Sequence, residues 1–341
     1  MPSSHPSICA IILAAGKGTR MKSELPKVLH PVAGTPILSR IMNTLKSSGV
    51  QHNCLVLGGD LQNFDQILKE NDDITCVVQE NRLGTGDAVA SALLALDGCK
   101  TPHYSKSRIH SGSKIEADYL LITAGDTPAL SSKVIKDFID TCLENKTKLG
   151  VIGMEHTTPF GYGRIILDGS SLEKIVEEKD ATAEEKQVTL CNSGVIFAET
   201  RLLNDILQKL TNNNAQEEYY LTDCFSLAKE AKEKTFVYRT KDYKSFDGVN
   251  NRIQLCEIEE WLVQQKRLEL MTEGVTFKLP ETCYIEDNVK IGRDTVIGPN
   301  CAILGGTVIG SNCVIGANSV LEDQNISDGQ TLKPGTILSS Q

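Results

Sequence analysis

The chain has 341 residues, of which 40% are hydrophobic and 23% are charged, as in an ordinary soluble globular protein. Its formal net charge of −9 at pH 7 argues against a general nucleic-acid-binding surface, which would need an excess of lysine and arginine. The length is sufficient for a large core and predicts two domains.

The eleven cysteines show no C-x-x-C spacing, and several fall in apolar segments such as SICAII and ITCVVQ. This pattern predicts small buried side chains in a reducing compartment, and neither a disulfide framework nor a zinc site. The first residues carry no basic stretch before their short apolar run. We therefore expect no signal peptide, no membrane partner and a cytoplasmic location.

Strands and helices are predicted to alternate through the first half of the chain. The continuous apolar run at residues 8–15 predicts a strand covered on both faces. Further strands are predicted at 53–59, 74–79, 118–126 and 149–156, and helices at 35–49, 64–70, 86–96 and 131–145. The alternation predicts an α/β domain with a mostly parallel sheet, whose ligands bind at the carboxyl ends of the strands. The polar residues 98–117 interrupt it and predict a surface insertion.

From residue 253 onward the chain has a different pattern of hydrophobic residues. Residues 253–273 form one amphipathic segment without Gly or Pro, which predicts a connecting helix. Aliphatic residues then recur every sixth position, at Ile285, Ile291, Ile297, Ile303, Ile309, Ile315 and Leu321. This period predicts a short parallel β-helix, in which glycine permits the turn at each corner. The predicted domains are therefore 1–252, a connecting helix at 253–275, and 276–341.

The segment after the first strand, LAAGKGTRMKSELPKVLH at residues 13–30, combines glycines with cations. It is not a P-loop, because Ile11 stands where that motif needs its first glycine, nor a dinucleotide fingerprint, because Met21 replaces the third glycine. Glycines still let backbone N–H groups approach phosphates, which Lys17, Arg20 and Lys27 could neutralise. The residues alone favour phosphate binding and leave a solvated basic loop as the alternative.

A series of sequence blocks carries a resemblance to a known family across nearly all of residues 8–255, in the order in which that family has them. They are LAAGKGTRMKSELPKVLHPVAGTPIL, VVQENRLGTGDAV, AGDTPAL, PFGYGRI, IVEEKDA, CNSGVIF, LTNNNAQEEYYLTD and GVNNRIQL. The sequence resembles the bifunctional N-acetylglucosamine-1-phosphate uridyltransferase/glucosamine-1-phosphate acetyltransferase family. The resemblance implies a Rossmann-like nucleotidyltransferase domain followed by a left-handed β-helix. It also implies a reaction of UTP with N-acetylglucosamine 1-phosphate that releases pyrophosphate and requires Mg²⁺.

The resemblance also implies roles for individual residues. Arg20 and Lys27 match the catalytic cations, and Asp126 and Asn250 match the Mg²⁺ ligands. Gly163, Glu177 and Asn192 match positions that contact the sugar. The positions that match nucleotide-binding residues are Leu13, Ala14, Ala15, Gly16, Gln79, Gly84, Thr85, Ala124 and Gly125, of which Gln79, Gly84 and Thr85 match positions that read uracil. Taken alone, Asp126 could be a helix cap and Asn250 a turn residue.

The sequence departs from the family at several points. Asp87 stands where the family often has histidine, and Ala124 where tyrosine is common. The hexapeptide repeats end early, and no histidine follows His156, which removes the usual general base. We therefore expect a C-terminally truncated form with the uridyltransferase domain only, without acetyltransferase activity, whose β-helix could assemble a homotrimer.

Three other functions remain open from the sequence. The first is a nucleotidyltransferase for another sugar 1-phosphate, such as glucose or N-acetylgalactosamine 1-phosphate. The second is a hexapeptide acyltransferase, which the missing histidine argues against. The third is a catalytically silent assembly protein, which the presence of Arg20, Lys27, Asp126 and Asn250 argues against.

Overall fold

A computed structural model describes residues 6–59, 61–71, 73–169 and 171–339. These residues form two compact units. The first unit contains the residues up to Leu29 together with Ile37–Asn250, and the second contains His30–Pro36 together with the residues from Asn251 onward. The predicted boundaries at 252, 253 and 275 stay a prediction.

The elements up to residue 250 occur in the predicted alternation. The strands are β1 (Ile8–Ala14), β2 (Pro31–Val32), β3 (Thr35–Pro36), β4 (His52–Leu57), β5 (Ile74–Gln79), β6 (Ser107–Ser111), β7 (Tyr119–Ala124), β8 (Leu149–Glu155), β9 (Arg164–Asp168), β10 (Ser171–Val176), β11 (Leu190–Glu199) and β12 (Thr235–Thr240). The helices are α1 (Ile37–Ser47), α2 (Asp65–Glu70), α3 (Thr85–Ala92), α4 (Ser132–Glu144), α5 (Thr200–Leu207) and α6 (Cys224–Glu230).

A mixed sheet organises the first unit, in the order β10-β9-β11-β7-β1-β4-β5-β6, with β8 pairing β11 and β12. The pairs β1–β4, β1–β7, β4–β5 and β8–β12 are parallel. Strand β11 runs antiparallel to β7, β8 and β9. The Rossmann-like α/β fold class is confirmed, and the sheet is mixed where the sequence predicted a mostly parallel one.

The central strand is buried on both sides, as its sequence predicts. Side chains alternate between the two faces of a strand, so Ile11 and Ile12 point in opposite directions. Both have 0% exposure, which requires cover on each face of the sheet. The carboxyl end of β1 therefore follows a strand that is packed on both faces and excluded from water.

The polar segment 98–117 is more than a surface insertion. Its residues Ser107–Ser111 form β6, which pairs antiparallel with β5 at the edge of the sheet. A single bridge also joins Leu96 to Ile115. The alternation of half-exposed and exposed residues along β6 lacks the apolar signal by which the sequence could have revealed a strand.

The second unit consists of one long helix and a stack of short strands. The helix α7 (Arg252–Thr272) begins at Asn251, whose side chain accepts a hydrogen bond from the backbone of Gln254. The strands are β13 (Thr276–Phe277), β14 (Tyr284–Ile285), β15 (Lys290–Ile291), β16 (Val296–Ile297), β17 (Ala302–Leu304), β18 (Val308–Ile309), β19 (Val314–Ile315), β20 (Val320–Glu322), β21 (Asn325–Ile326), β22 (Thr331–Leu332) and β23 (Ile337–Ser339).

These strands form three parallel sheets, β13-β16-β19-β22, β14-β17-β20-β23 and β15-β18-β21. Every third strand pairs, so the chain winds once around per three hexapeptides, as a hexapeptide-repeat β-helix requires. Ile285 pairs with Ile303 and Ile303 with Leu321, which stacks the predicted aliphatic residues in the interior. All seven of them are at most 7% exposed.

The interior has a second column that the sequence analysis missed. Two positions before each aliphatic residue stands a small one with at most 2% exposure, namely Cys283, Val289, Thr295, Cys301, Thr307, Cys313 and Ser319. Several of these donate to carbonyls of the next turn, such as Thr295 Oγ1 to Gly310 O at 2.8 Å. Polar members are tolerated inside because their donors are satisfied.

The glycines that follow the aliphatic residues have a different role from the one predicted. Left-handed backbone is found at Asn300, Asn312 and Asn318, with φ between +56° and +59°, and also at Asp294, Asp323, Gly305, Gly329 and Gly335. At Gly292 a Cβ would lie 2.6 Å from Ser311 N, and at Gly298 it would lie 2.6 Å from Ala317 N. These glycines are needed because the next turn passes too close for any side chain.

The short hairpin of β2 and β3 also belongs to the second unit. Its turn residue Ala33 donates its N–H to Glu259 Oε2 of α7 at 3.1 Å. Its carbonyl accepts from Asp287 N at 3.2 Å. Chain order alone does not reveal this membership, because the hairpin lies more than 200 residues from its partners.

Nine of the eleven cysteines are buried, as predicted, while Cys99 is half-buried and Cys256 exposed. None of the helices within the described residues has the length and apolar character needed to cross a bilayer.

The β-helix interior gives a stability prediction. Replacing the buried Ile315 with Ala should lower the free energy of unfolding of the second unit by about 2–5 kcal/mol, because it leaves a cavity. The neighbouring Val314 is 42% exposed, and Val314→Ala should cost only about 0.5 kcal/mol. The single tryptophan, Trp261 in α7, reports unfolding of this unit in urea by fluorescence. If Ile315→Ala and Val314→Ala lowered the urea midpoint equally, the placement of Ile315 in the stacked interior column would be contradicted.

Candidate active site

The loop after β1 leaves the sheet at the carboxyl end of the central strand. Gly16 is exposed, and a Cβ placed on it would meet no atom within 4 Å, so its backbone faces open space. Gly18 has φ +59°, and a Cβ there would lie 2.9 Å from Cβ of Lys27. Glycine at position 18 therefore permits both the left-handed turn and the approach of Lys27.

Two cations and two oxygen-bearing side chains meet beside this loop. The ammonium of Lys27 donates to Asp126 Oδ2, and to Asn250 Oδ1 at 3.0 Å. Arg20 Nη2 donates to the same Asn250 oxygen at 2.9 Å. The side chains of Lys27 and Asp126 are 13% and 21% exposed, so a ligand can still reach them. These four residues are called the charged cluster below.

Two backbone contacts hold the charged cluster at adjacent strand ends. Gly125 N donates to Leu13 O at 2.9 Å, which ties the end of β7 to the end of β1. Val249 N donates to Asp126 O at 2.8 Å, which holds Asn250 next to Asp126. The predicted nucleotide positions Leu13, Ala14, Ala15, Gly16, Ala124 and Gly125 all lie on these two strand ends or directly after them.

Glycine at position 125 is required by this arrangement. A Cβ there would lie 2.9 Å from Leu13 O and 3.0 Å from Ala14 Cβ. Any larger residue would push β7 away from β1 and move Asp126 with it.

A group that the sequence analysis missed supports the segment leading to Asn250. Asp247 Oδ1 accepts from Tyr162 OH at 3.1 Å and lies 3.5 Å from His156 Nε2. Asp247 Oδ2 accepts from Lys244 Nζ at 2.9 Å. Burial and the nearby carboxylates raise the pKa of Tyr162, so this hydroxyl stays a donor. His156, Lys244 and Asp247 lie outside the quoted sequence blocks, and Tyr162 lies in PFGYGRI without a role assigned to it.

The predicted uracil-reading residues form a second group, at the end of β5 and the start of α3. Gln79 is the last residue of β5 and Thr85 the first of α3. Gly84 precedes the helix with φ +113°, and a Cβ there would lie 2.6 Å from Tyr219 O. Thr85 Oγ1 accepts from Leu221 N at 3.1 Å. These contacts fix the loop against the segment around residue 220.

Asp87 lies behind this group. It has 0% exposure, and its Oδ2 accepts from Gln79 Nε2 at 2.6 Å and from Leu83 N at 3.2 Å. In the sequence Asp87 stands out only as a departure from the family, and no pattern there reveals its contact with Gln79.

The segment 98–117 reinforces the same region. The ring of Tyr104 stacks on that of Tyr219 at 3.8 Å between centroids, and Tyr104 OH donates to Leu207 O at 2.7 Å. Ser105 Oγ lies 3.0 Å from Ser91 Oγ in α3. This segment therefore packs behind α3 and steadies it.

The predicted sugar residues form a third group. Asn192 N donates to Gly163 O at 2.8 Å. A Cβ on Gly163 would lie 3.4 Å from Glu177 Oε2, so glycine leaves room beside that carboxylate. Glu177 Oε1 accepts from Thr222 Oγ1 at 3.0 Å, a partner the sequence analysis missed.

The environment of Glu177 moves its ionisation to a higher pH than that of an ordinary glutamate. Burial raises the pKa of this carboxyl. The hydrogen bond from Thr222 opposes the shift, while the charges of Asp223, Asp180 and Glu218 add to it. The group is suited to hydrogen bonding with hydroxyl and amide groups more than to binding another anion.

The structure thus brings the predicted residues together in three groups. Arg20, Lys27, Asp126 and Asn250 are joined by direct hydrogen bonds. Gly163, Glu177 and Asn192 are neighbours across strands or their ends. All of these residues belong to the first unit.

Comparison with known proteins assigns both parts of the chain. Residues 10–190 match the model of the MobA-like NTP transferase domain. Residues 282–323 match that of the bacterial transferase hexapeptide, with six repeats. The expectation of a form with the uridyltransferase domain only is therefore wrong, because the chain carries the hexapeptide region as well.

The chain is similar along most of its length to curated proteins called bifunctional protein GlmU. It is 38% identical over 333 residues to the Geotalea uraniireducens protein, and the alignment covers 97% of this chain and 69% of the relative. It is 41% identical over 299 residues to the Carboxydothermus hydrogenoformans protein, with 87% of this chain and 62% of the relative covered. It is 37% identical over 332 residues to the Clostridium botulinum protein, with 97% of this chain and 69% of the relative covered. The chain belongs to the family of bifunctional GlmU proteins and carries a MobA-like NTP transferase domain.

Proposed function

We propose that the chain is a UDP-N-acetylglucosamine diphosphorylase, which converts UTP and N-acetylglucosamine 1-phosphate into UDP-N-acetylglucosamine and pyrophosphate. The observation that carries the proposal is the charged cluster, which gathers Lys27 and Arg20 at the joined carboxyl ends of β1 and β7. Phosphate-binding sites of α/β folds lie at such strand ends. Membership of the family and the NTP transferase match support the same reaction.

The three groups of residues divide the substrate between them. Leu13, Ala14, Ala15, Gly16, Ala124 and Gly125 would lie along the nucleotide, with Gln79, Gly84 and Thr85 at its base. Gly163, Glu177 and Asn192 would contact the sugar. Apart from the carboxyl of Glu177, their side chains and backbone offer neutral donors and acceptors, which suit a base and a sugar, while the cations are confined to the phosphates.

The reaction needs positioning more than proton transfer. An oxygen of the sugar phosphate attacks the α-phosphorus of UTP, and the bond to the β-phosphate bridging oxygen breaks to release pyrophosphate. The attacking phosphate is already ionised near neutral pH, so no general base is required. Lys27 and Arg20 would offset the repulsion between the two anions and stabilise the charge on the departing pyrophosphate.

The oxygens of the charged cluster fit a magnesium ion, which we propose as the cofactor. Asp126 Oδ2 and Asn250 Oδ1 both accept from the same ammonium of Lys27, so they converge on one point. Carboxylate and amide oxygens are hard ligands of the kind Mg²⁺ takes, with waters and phosphates completing its shell. When bound, the ion would supply positive charge to the phosphates of UTP.

Three further proposals concern the setting of the enzyme. The buried cysteines, none of them paired in a disulfide, support a reducing, cytoplasmic location. The hexapeptide repeats support a homotrimer formed through the β-helix. We also propose that the domains are a nucleotidyltransferase domain at 1–252, a connecting helix at 253–275 and a β-helix at 276–341.

Removing the ammonium of the charged cluster should nearly abolish the reaction. In Lys27→Ala, kcat/KM should fall by about 10²–10³, the usual cost of losing one oriented donor. Pyrophosphate release from UTP, Mg²⁺ and N-acetylglucosamine 1-phosphate measures this. The matched control is Lys46→Ala, since Lys46 is exposed in the last turn of α1. Equal activity of the two variants would overturn the role of Lys27.

The sugar group should control KM for the sugar phosphate. Glu177→Gln keeps the size of the side chain and removes its charge, so KM for N-acetylglucosamine 1-phosphate should rise about tenfold with KM for UTP unchanged. Because the pKa of Glu177 is raised, its carboxylate is lost at a higher pH than that of an ordinary glutamate. The KM difference between wild type and Glu177→Gln should therefore shrink as the pH falls towards that pKa. Glu184→Gln, at an exposed position, is the control, and a parallel rise of both KM values would contradict the assignment.

The 341 residues should lack acetyltransferase activity. Residues 157–341 contain no histidine, so the hexapeptide repeats offer no imidazole to take a proton from an amine. Incubation with acetyl-CoA and glucosamine 1-phosphate should release no free CoA above the enzyme-free rate. Release that depends on the protein would show that another group acts as the base.

A further inference from the structure

The contact between Asp87 and Gln79 has no explanation in the proposed reaction. Asp87 has 0% exposure, and its Oδ1 has no hydrogen-bond partner among the described residues. A buried carboxyl that is only partly satisfied is costly. Such a group is expected where it does something beyond filling space. Its other oxygen, Oδ2, receives hydrogen bonds from Gln79 Nε2 and Leu83 N.

This contact sets the direction of the Gln79 amide. Asp87 Oδ2 already accepts from a backbone N–H, which can only donate, so the oxygen acts as an acceptor. The amide of Gln79 could otherwise turn over and exchange its oxygen and nitrogen. Gln79 Nε2 now lies 2.6 Å from Asp87 Oδ2. If the amide turned over, Gln79 Oε1 would take that place, and two hydrogen-bond acceptors would face each other at this short distance. Asp87 therefore holds the nitrogen inward and leaves Gln79 Oε1 for another partner.

The amide oxygen lies at the substrate edge of the sheet. Gln79 ends β5, which is parallel to β4, and β4 is parallel to β1, so the three strands end on the same side. Among the described residues, none donates a hydrogen bond to Gln79 Oε1, and this oxygen is not among the buried atoms without a partner. An accessible acceptor thus stands near the nucleotide positions.

We propose that Asp87 is a positioning residue that makes the site select uracil over cytosine by fixing Gln79 Oε1 as an acceptor. The proposal rests on the proposed function, in which Gln79 meets the base of UTP. The pairing edge of uracil has a single strong donor, N3–H, between two carbonyl acceptors. An acceptor fixed at Gln79 must therefore meet N3–H.

Cytosine has no N3–H donor to meet this acceptor. Its N3 carries no hydrogen at neutral pH and is itself an acceptor, so in the same pose it would face Gln79 Oε1 without a hydrogen bond. Sites that hydrogen-bond a substrate group discriminate strongly against an analogue that lacks it, because their own polar atom is left unpaired. Without Asp87 the amide could turn over and offer Nε2 to the cytosine N3. Selectivity would then be lost.

The test compares UTP with CTP in three variants. Asp87→Leu removes the acceptor and keeps much of the volume, and Asp87→Ala removes it with a smaller side chain. Asp87→Asn keeps an acceptor, because its amide oxygen would take the hydrogen bond from Leu83 N. For each protein we would measure kcat/KM with UTP and CTP, and the Kd of both by calorimetry. The ratio of the two values does not depend on how much of a sample is folded, so partial loss of stability does not imitate the effect.

We expect the UTP-to-CTP ratio to fall at least about tenfold in Asp87→Leu and Asp87→Ala, and to stay near the wild-type value in Asp87→Asn. In a Gln79→Leu background the same changes at position 87 should no longer alter the ratio, because the two residues act as one unit. KM for the sugar phosphate should not change.

Two results would overturn the inference. One is an unchanged ratio in Asp87→Leu and Asp87→Ala, and the other is an equal loss in Asp87→Asn. Wild-type protein that binds UTP in preference to CTP but releases no pyrophosphate would instead refute the proposed function, and the Kd ratios of the variants would still decide the role of Asp87. Wild-type protein that binds neither nucleotide would refute both.

Discussion

The first unit is organised around one electrostatic constraint, the burial of a lysine ammonium beside the loop that follows β1. Lys27 is only 13% exposed, and an ammonium removed from water needs partners. Asp126 and Asn250 provide them. In the proposed reaction the same arrangement prepares the site, because both oxygens and both cations are already in place before the two phosphates bind. Preorganised charges of this kind stabilise a transition state without rearranging during the reaction.

The rest of the site follows from keeping that cluster at the ends of β1 and β7. Gly18 lets the loop bring Lys27 close, and Gly125 lets the two strand ends touch. The residues around Asp247 anchor the segment that carries Asn250. The other two groups, which we propose for the base and the sugar, need less charge, since a base and a sugar are distinguished by hydrogen bonds. Their supports, Asp87 and Thr222, hydrogen-bond to Gln79 and Glu177, and we propose that they fix the direction of a donor or acceptor.

Much of this could be predicted from the sequence where the signal is periodic or local. The buried run of β1 and the six-residue repeat from Ile285 to Leu321 fix their elements because burial repeats with the period of the backbone. The strand β6 was missed because its residues alternate between half-exposed and exposed and carry no apolar signal. The place of the hairpin at 31–36 in the second unit was missed because its partner Glu259 lies more than 200 residues away. Asp247 and Thr222 were missed for a related reason, since they act through contacts between separate segments, which leave no spacing to read.

The most direct test of the charged cluster as the centre of nucleotidyl transfer is a crystal structure with UDP-N-acetylglucosamine. The account predicts that the diphosphate lies within hydrogen-bond distance of Lys27 and Arg20. It also predicts the uracil N3–H on Gln79 Oε1, and the sugar against Glu177 and Asn192. A diphosphate bound away from Lys27, with the cluster unchanged, would contradict it.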